Sequence, residues 1–259
     1  MSNSKVISVS GKGGVGKTTV VALMLRNFLA QGGRSILVVD ADPSTNLPDI
    51  LGVPVEKTVG MVTDELKREI AKGSVSSTIS KESVLEARVF EVLAETPEFD
   101  LLAMGRSEGE GCYCMVNHML TKVVDALSKN YDLTLMDMEA GLEHLSRRTD
   151  RDVDIMLIVT DQSKMGLQTA KRIKDLAKEV HIEFKEMYLI GNRFEETLTP
   201  SFQRAAEAQG LTFLGAIPPD PDVLKFSVEG VSLLRLPLEN PAVKKTGELM
   251  GKMGLLDAL

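Results

Sequence analysis

The chain has 259 residues, room for one large α/β domain or two small ones, and 43% of them are apolar, an ordinary share for a globular protein. Its formal net charge of −7 opposes a DNA-coating role, which needs a basic face. There is no apolar run long enough to span a bilayer and no signal peptide, and two cysteines one residue apart make a poor disulfide framework, so a cytoplasmic protein is expected.

The first apolar, β-prone stretch is Val6–Ser10. The run Gly11-Lys12-Gly13-Gly14-Val15-Gly16-Lys17-Thr18-Thr19 follows it, and a helical stretch, Val20–Ala30, comes next. Strand, glycine loop and helix form the context in which a phosphate-loop pattern is meaningful, and Gly11, Gly16, Lys17 and Thr18 satisfy its spacing. Glycines let backbone N–H groups turn onto a β-phosphate where side chains would block them. The helix start adds a positive dipole end. Lys17 supplies a point charge to the β- and γ-phosphates, the Thr18 hydroxyl suits Mg²⁺, and Thr19 suits the α-phosphate. The reading is therefore a site for ATP or ADP with Mg²⁺.

Arg34–Asp40 reads as a parallel strand buried on both faces. It ends in Asp40, with Asp42 just beyond, at the strand end where open α/β sheets bind ligands. Such a pair also serves as a turn or helix cap. Residues 57–96 are polar, carry no chemical motif and suit two surface helices, Met61–Lys72 and Lys81–Leu93. Phe99–Met104 is another strand. A loop with Gly105, Gly109 and Gly111 among charges then ends in Cys112-Tyr113-Cys114, and an amphipathic helix, Met115–Leu127, follows.

Tyr131–Asp137 is a fourth strand, continued by Met138-Glu139-Ala140-Gly141. Asp154–Thr160 is a fifth. Gly166–Val180 is an amphipathic helix with Leu167, Ala170, Ile173, Leu176 and Ala177 on one face. Glu186–Asn192 is a sixth strand, followed by Arg193. Leu211–Ile217 is a seventh, followed by Pro218-Pro219-Asp220. Asn240–Leu256 is a terminal helix without the dense Lys/Arg face of a membrane-binding segment. No repeat or linker interrupts the alternation. The expectation is a single doubly wound α/β domain over residues 1–259, with a mainly parallel sheet flanked by helices.

Cys112 and Cys114 admit two readings. Free cysteine is often a small buried apolar residue. Here the pair sits among glycines and charges, and a following helix start favours the thiolate. Two thiolates cannot complete a tetrahedral soft-metal site, but two chains about a twofold axis supply four.

Lys12, just inside the loop, is not needed by the general pattern. A lysine there resembles the deviant Walker A ATPases, which include MinD, ParA, the nitrogenase iron protein and the CooC-type nickel ATPases. The resemblance covers nearly the whole chain. It implies that Lys12 reaches the nucleotide of a partner chain, so that Lys12, Lys17 and Asp42 act in hydrolysis. Asp42 would position or activate the attacking water, and Asp40 would support Mg²⁺ or its water shell. Asp137 would be the Walker B aspartate beside Mg²⁺, and the Gly141 N–H would contact the γ-phosphate. Asn192 would read the adenine edge, with Arg193 beside it in the nucleotide site; Pro218 would pack on the ring, and Asp220 would accept from an amine.

MinD and ParA usually carry proline where Glu139 stands. Cys-x-Cys after a glycine loop instead looks like CooC and its relative AcsF, which mature carbon monoxide dehydrogenase and acetyl-CoA synthase. That implies a homodimer formed with ATP or metal, and Ni²⁺ or Zn²⁺ shared at Cys112 and Cys114, with a [4Fe–4S] cluster as the alternative occupant. It further implies a nickel enzyme as client, with no nucleic acid or membrane partner. Glu143, His144 and His118 are candidates for the metal step, each with a plain surface or helix-start reading beside it. Rival functions are a MinD- or ParA-type positioning ATPase and an iron–sulfur carrier.

Overall fold

The computed structural model describes residues 4–73, 81–106, 124–139, 153–179 and 184–256. The elements run β1 (Lys5–Gly11), α1 (Lys17–Gln31), β2 (Ile36–Asp40), α2 (Leu47–Leu51), α3 (Val59–Ala71), α4 (Lys81–Phe90), β3 (Ala94–Glu95) and β4 (Asp100–Ala103). They continue with β5 (Leu133–Asp137), β6 (Val153–Thr160), α5 (Lys164–Glu179), β7 (Phe184–Asn192), α6 (Thr199–Glu207), β8 (Phe213–Ile217), α7 (Pro221–Glu229) and α8 (Pro241–Lys252). Cys112, Cys114, His118, Gly141, Glu143 and His144 lie outside the described residues, as does the expected helix Met115–Leu127 except for its last turn.

The eight described strands form one sheet in the order β3-β4-β2-β5-β1-β6-β7-β8. Every neighbouring pair is parallel except β3–β4. From β1 the chain moves to β2 and out to β3 and β4, returns through β5, then grows the other way through β6, β7 and β8. This reversal makes the carboxyl end of β1 a topological switch point, where open sheets of this kind form their ligand crevice.

The apolar runs are buried on both faces, as parallel strands between helices must be. Leu37 and Val39 of β2 enter one core cluster, beneath α3 and α5, while Ile36 and Val38 enter the other, beneath α1 and α8. Helix α1 is buried along most of its length and packs against α8. Its Phe28 is 1% exposed, and truncating it to alanine should cost about 3–5 kcal/mol. With α1 fixed, the loop before it is fixed too.

All seven expected strands are present, trimmed or extended by one or two residues. Strand β2 begins at Ile36 because Ser35 is used elsewhere: its N–H and hydroxyl each donate to Asp132 Oδ2 at 2.9 Å. The two-residue edge strand β3 and the helices α2, α6 and α7 were not expected. Helix α2 is five residues long, too short to show a period. Helix α7 carries a legible start, Asp220 as cap with Pro221 behind it, the same signature that opens α8 at Asn240-Pro241.

Candidate functional site

The glycine loop bridges β1 and α1 at the switch point. Gly11 pairs in register with Val159 of β6, and a Cβ on Gly11 would stand 2.1 Å from the Val159 carbonyl oxygen. No other residue fits there. Gly16 has φ +87°, and a Cβ on it would meet the Asn192 amide nitrogen at 2.4 Å. Asn192, 4% exposed at the end of β7, donates from Nδ2 to the Val15 carbonyl at 2.9 Å. Arg193 donates from its guanidinium to the Gly14 carbonyl. Two loop carbonyls are thus drawn toward β7. The first N–H groups of α1 have no intrahelical acceptor, which leaves them for an anion. Lys17 opens α1 and is 8% exposed.

Three aspartates meet the loop from β2 and β5. Asp40 and Asp137 are register partners. Asp40 is fully buried, and both its oxygens are occupied: Oδ1 accepts from the Asp42 N–H at 3.1 Å and Oδ2 from the Leu47 N–H at 3.0 Å. Asp40 therefore holds the 42–47 loop, in which Thr45 has φ +52°. Asp42 is partly exposed, and its Oδ1 accepts from the Ser44 N–H at 2.8 Å. Asp137 is 1% exposed, and neither of its oxygens has a hydrogen-bond partner among the described residues.

Burial, and then repulsion from Asp137, pushes the Asp40 carboxyl up to about 7. Burial pushes Asp137 up to about 6, although the Thr18 hydroxyl and Lys17 ammonium beside it pull the other way. Two buried carboxylates, one of them with its oxygens unpartnered, suit a site built for a cation. The donor set is hard oxygen, and one carboxylate with a hydroxyl suits Mg²⁺, which takes its remaining ligands from phosphates and water. Among the described residues no group of three or more His, Cys, Asp or Glu side chains is placed to hold a metal ion.

These residues border a cleft of about 700 Å³. The glycine loop and Lys17, Thr18 and Thr19 form one wall; Asp42, Asp49 and Glu139 form another. Ile50, Phe226, Val231 and Leu233 supply apolar surface, and Arg193 closes the β7 side. The structure thus brings Gly13, Gly14, Gly16, Lys17, Thr18, Thr19, Asp42 and Arg193 to one cavity, with Asp137 buried behind Lys17 and Thr18. Pro218 and Asp220 stand outside its lining. Asp220 caps α7, accepting from the N–H groups of Asp222 and Val223 at 2.9 and 3.0 Å, and takes both its oxygens to Asn240 Nδ2 at 3.1 Å.

Lys12 lies on the other flank of the loop, 37% exposed in its side chain, with Nζ 3.3 Å from Asp161 Oδ2. Asp161 follows the end of β6 and was not singled out by the sequence. Nothing in the sequence reveals that β6 lies beside β1, and that adjacency alone brings residues 12 and 161 together.

The fold and this cleft define a P-loop ATPase of the doubly wound class. A family model for the CobQ/CobB/MinD/ParA nucleotide binding domain matches residues 6–233, and the chain belongs to that family. It is 45% identical to an uncharacterized ATP-binding protein of Methanocaldococcus jannaschii over 96% of this chain and 98% of that one. It is 32% identical to the carbon monoxide dehydrogenase accessory protein CooC of Rhodospirillum rubrum, over 87% of this chain and 88% of that one. Among solved structures, a ParA family ATPase from Chlorobium tepidum superposes with a TM-score of 0.69 at 20% identity, covering 96% of this chain and 98% of that one. MinD from Pyrococcus horikoshii, solved with Mg-ADP, gives 0.69 at 22% identity, covering 96% and 95%. No helix among the described residues is long and apolar enough to cross a membrane.

Proposed function

We propose that this chain is a maturation ATPase that couples ATP-driven dimerisation to delivery of a soft metal ion, Ni²⁺ by resemblance, to carbon monoxide dehydrogenase or acetyl-CoA synthase. The observation that carries the reading is Cys112-Tyr113-Cys114 in a chain 32% identical to CooC over most of its length.

In this reading Lys17 and the loop N–H groups hold the β- and γ-phosphates. Thr18 and Asp137 hold Mg²⁺, which when bound neutralises phosphate charge. Asp42 stands at the cleft wall, where it orients the attacking water, and Asp40 keeps the 42–47 loop in place behind it. Gly141 presents its N–H to the γ-phosphate. Lys12 serves the partner's nucleotide, in the manner of a deviant Walker A lysine. A cation supplied in trans is worth about 10³-fold or more in rate. The apolar lining of the cleft, Ile50, Phe226, Val231 and Leu233, receives the base.

The metal is cargo. Cys112 and Cys114 of two chains supply four thiolates, so the site exists only while the dimer does. Metal uptake then releases protons and strengthens as pH rises.

The test is anaerobic purification followed by metal stoichiometry and oligomeric state, for wild type and for Cys112→Ser/Cys114→Ser. We expect about one metal per two chains, lost in the double variant while ATP binding persists. Unchanged metal binding in the variant, or one metal on each isolated monomer, overturns the cargo site and leaves an ATPase with another client.

A further inference from the structure

The contact between Lys12 and Asp161 does not follow from the role assigned to Lys12. If Lys12 acts on a partner's nucleotide, its resting position within its own chain matters, and the structure specifies one. From this geometry we infer that Asp161 is a counter-ion latch: it holds Lys12 in cis until a second nucleotide-loaded copy of this chain draws the lysine away. The inference rests on the in-trans reading of Lys12.

Asp161 is built for a fixed position. Its Oδ1 accepts from the Ser163 N–H at 3.0 Å and from the Ser163 hydroxyl. The same hydroxyl oxygen accepts from the Gly166 N–H at 3.0 Å, tying the turn to the start of α5. A Cβ on Gly166 would lie 2.4 Å from Asp161 Oδ1, so the helix keeps its glycine where the carboxylate tucks in. Only Oδ2 remains for Lys12, and it lies 3.3 Å from the ammonium. One oxygen anchors the residue and the other holds the lysine. Burial would raise the Asp161 carboxyl, but the Ser163 and Lys12 contacts outweigh it and hold the group below the ordinary range, so it is ionised at neutral pH.

The pair is also weak enough to open. Both side chains are more than one-third exposed. An exposed ion pair shifts an equilibrium by about twofold to fivefold. A triphosphate with its oxygens fixed in a partner's cleft offers Lys12 several charged acceptors in place of one. Each dimer must open two latches. Removing both should therefore favour the ATP-bound dimer by about fourfold to twenty-five-fold.

The experiment is sedimentation of the full chain with Mg²⁺ and a non-hydrolysable ATP analogue, at low and high salt. Wild type, Asp161→Asn, Lys12→Gln and the double variant are compared. The Asp161→Asn change removes the charge but keeps an amide oxygen for Ser163, so the α5 turn is retained. Expected is tighter dimerisation of Asp161→Asn, by the factor above at low salt and by less at high salt. The double variant should match Lys12→Gln. If Asp161→Asn dimerises no better than wild type while Lys12→Gln is impaired, the latch is wrong and the in-trans reading stands. If Lys12→Gln dimerises as wild type does, the in-trans reading itself fails. Weaker dimerisation of Asp161→Asn would mean that Asp161 presents Lys12 to the partner, which also overturns the latch.

Discussion

Asp40 and Asp137 are register partners on β2 and β5, both essentially inaccessible to solvent, and only Asp40 has its oxygens hydrogen-bonded. One carboxylate holds the 42–47 loop, and the other is buried beside the Lys17 ammonium and the Thr18 hydroxyl with neither oxygen in a regular hydrogen bond.

The buried Asp137 carboxylate should cost the metal-free protein stability in a definite pH window. The folded-state value of Asp137 is about 6 against 3.8 for the free side chain, so between those values the folded state binds more protons than the unfolded state. Stability therefore falls as pH rises from about 4 to about 6, and the loss is complete above that. Asp137→Asn should stabilise the metal-free protein at pH 7.5 by about 2 kcal/mol, with the gain shrinking toward pH 4. The same variant should lose the stabilisation that Mg-ADP gives wild type. Denaturant titrations at both pH values, with and without Mg-ADP, measure this; equal stability of variant and wild type at pH 7.5 would contradict it.

The two loop lysines should separate binding from turnover. Lys17→Ala should weaken ATP and ADP alike, because in the proposed site the ammonium serves a phosphate that both nucleotides carry. Lys12→Gln should keep nucleotide affinity and lose hydrolysis by about 10³-fold, along with ATP-dependent dimerisation. Calorimetric affinities beside turnover rates decide this; normal hydrolysis by Lys12→Gln would be the adverse result.

Asn192 should behave as a brace. Its amide holds the Val15 carbonyl in a buried position, and removing it leaves that carbonyl unpaired. Asn192→Ala should cost about 1–3 kcal/mol of stability. It should weaken ATP and GTP by the same factor, since the loop and not the base is disturbed. An adenine-reading role predicts instead that ATP alone suffers, and competition between the two nucleotides tells these apart.

Asp220 should matter to folding and little to affinity. It caps α7 and grips Asn240, the cap of α8. Asp220→Ala should lower stability by about 1–2 kcal/mol, the usual cost of a lost cap. ADP affinity, measured well below the melting range, should stay within about twofold; a loss of tenfold or more would place its carboxylate on the nucleotide.

Much of this protein is legible in its sequence, because the signals are local. Continuous aliphatic runs such as Ile36–Val39 suit strands covered on both faces, and a glycine loop set between a strand and a helix suits backbone amides turned inward. Those features give the alternation of strand and helix and the phosphate end of the cleft. The residues that meet the loop from elsewhere depend on strand order, which no spacing encodes. β6 and β7 are more than 130 positions beyond the loop in sequence, yet β6 lies beside β1 and β7 beside β6. Asp161 therefore reaches Lys12, and Asn192 and Arg193 reach the carbonyls of Val15 and Gly14. Register decided the rest. Asp40 and Asp42 look alike as residues, but one is buried with both oxygens occupied and the other faces the cleft. Asp137, in register with Asp40, is buried beside the Lys17 and Thr18 side chains that the loop brings to it.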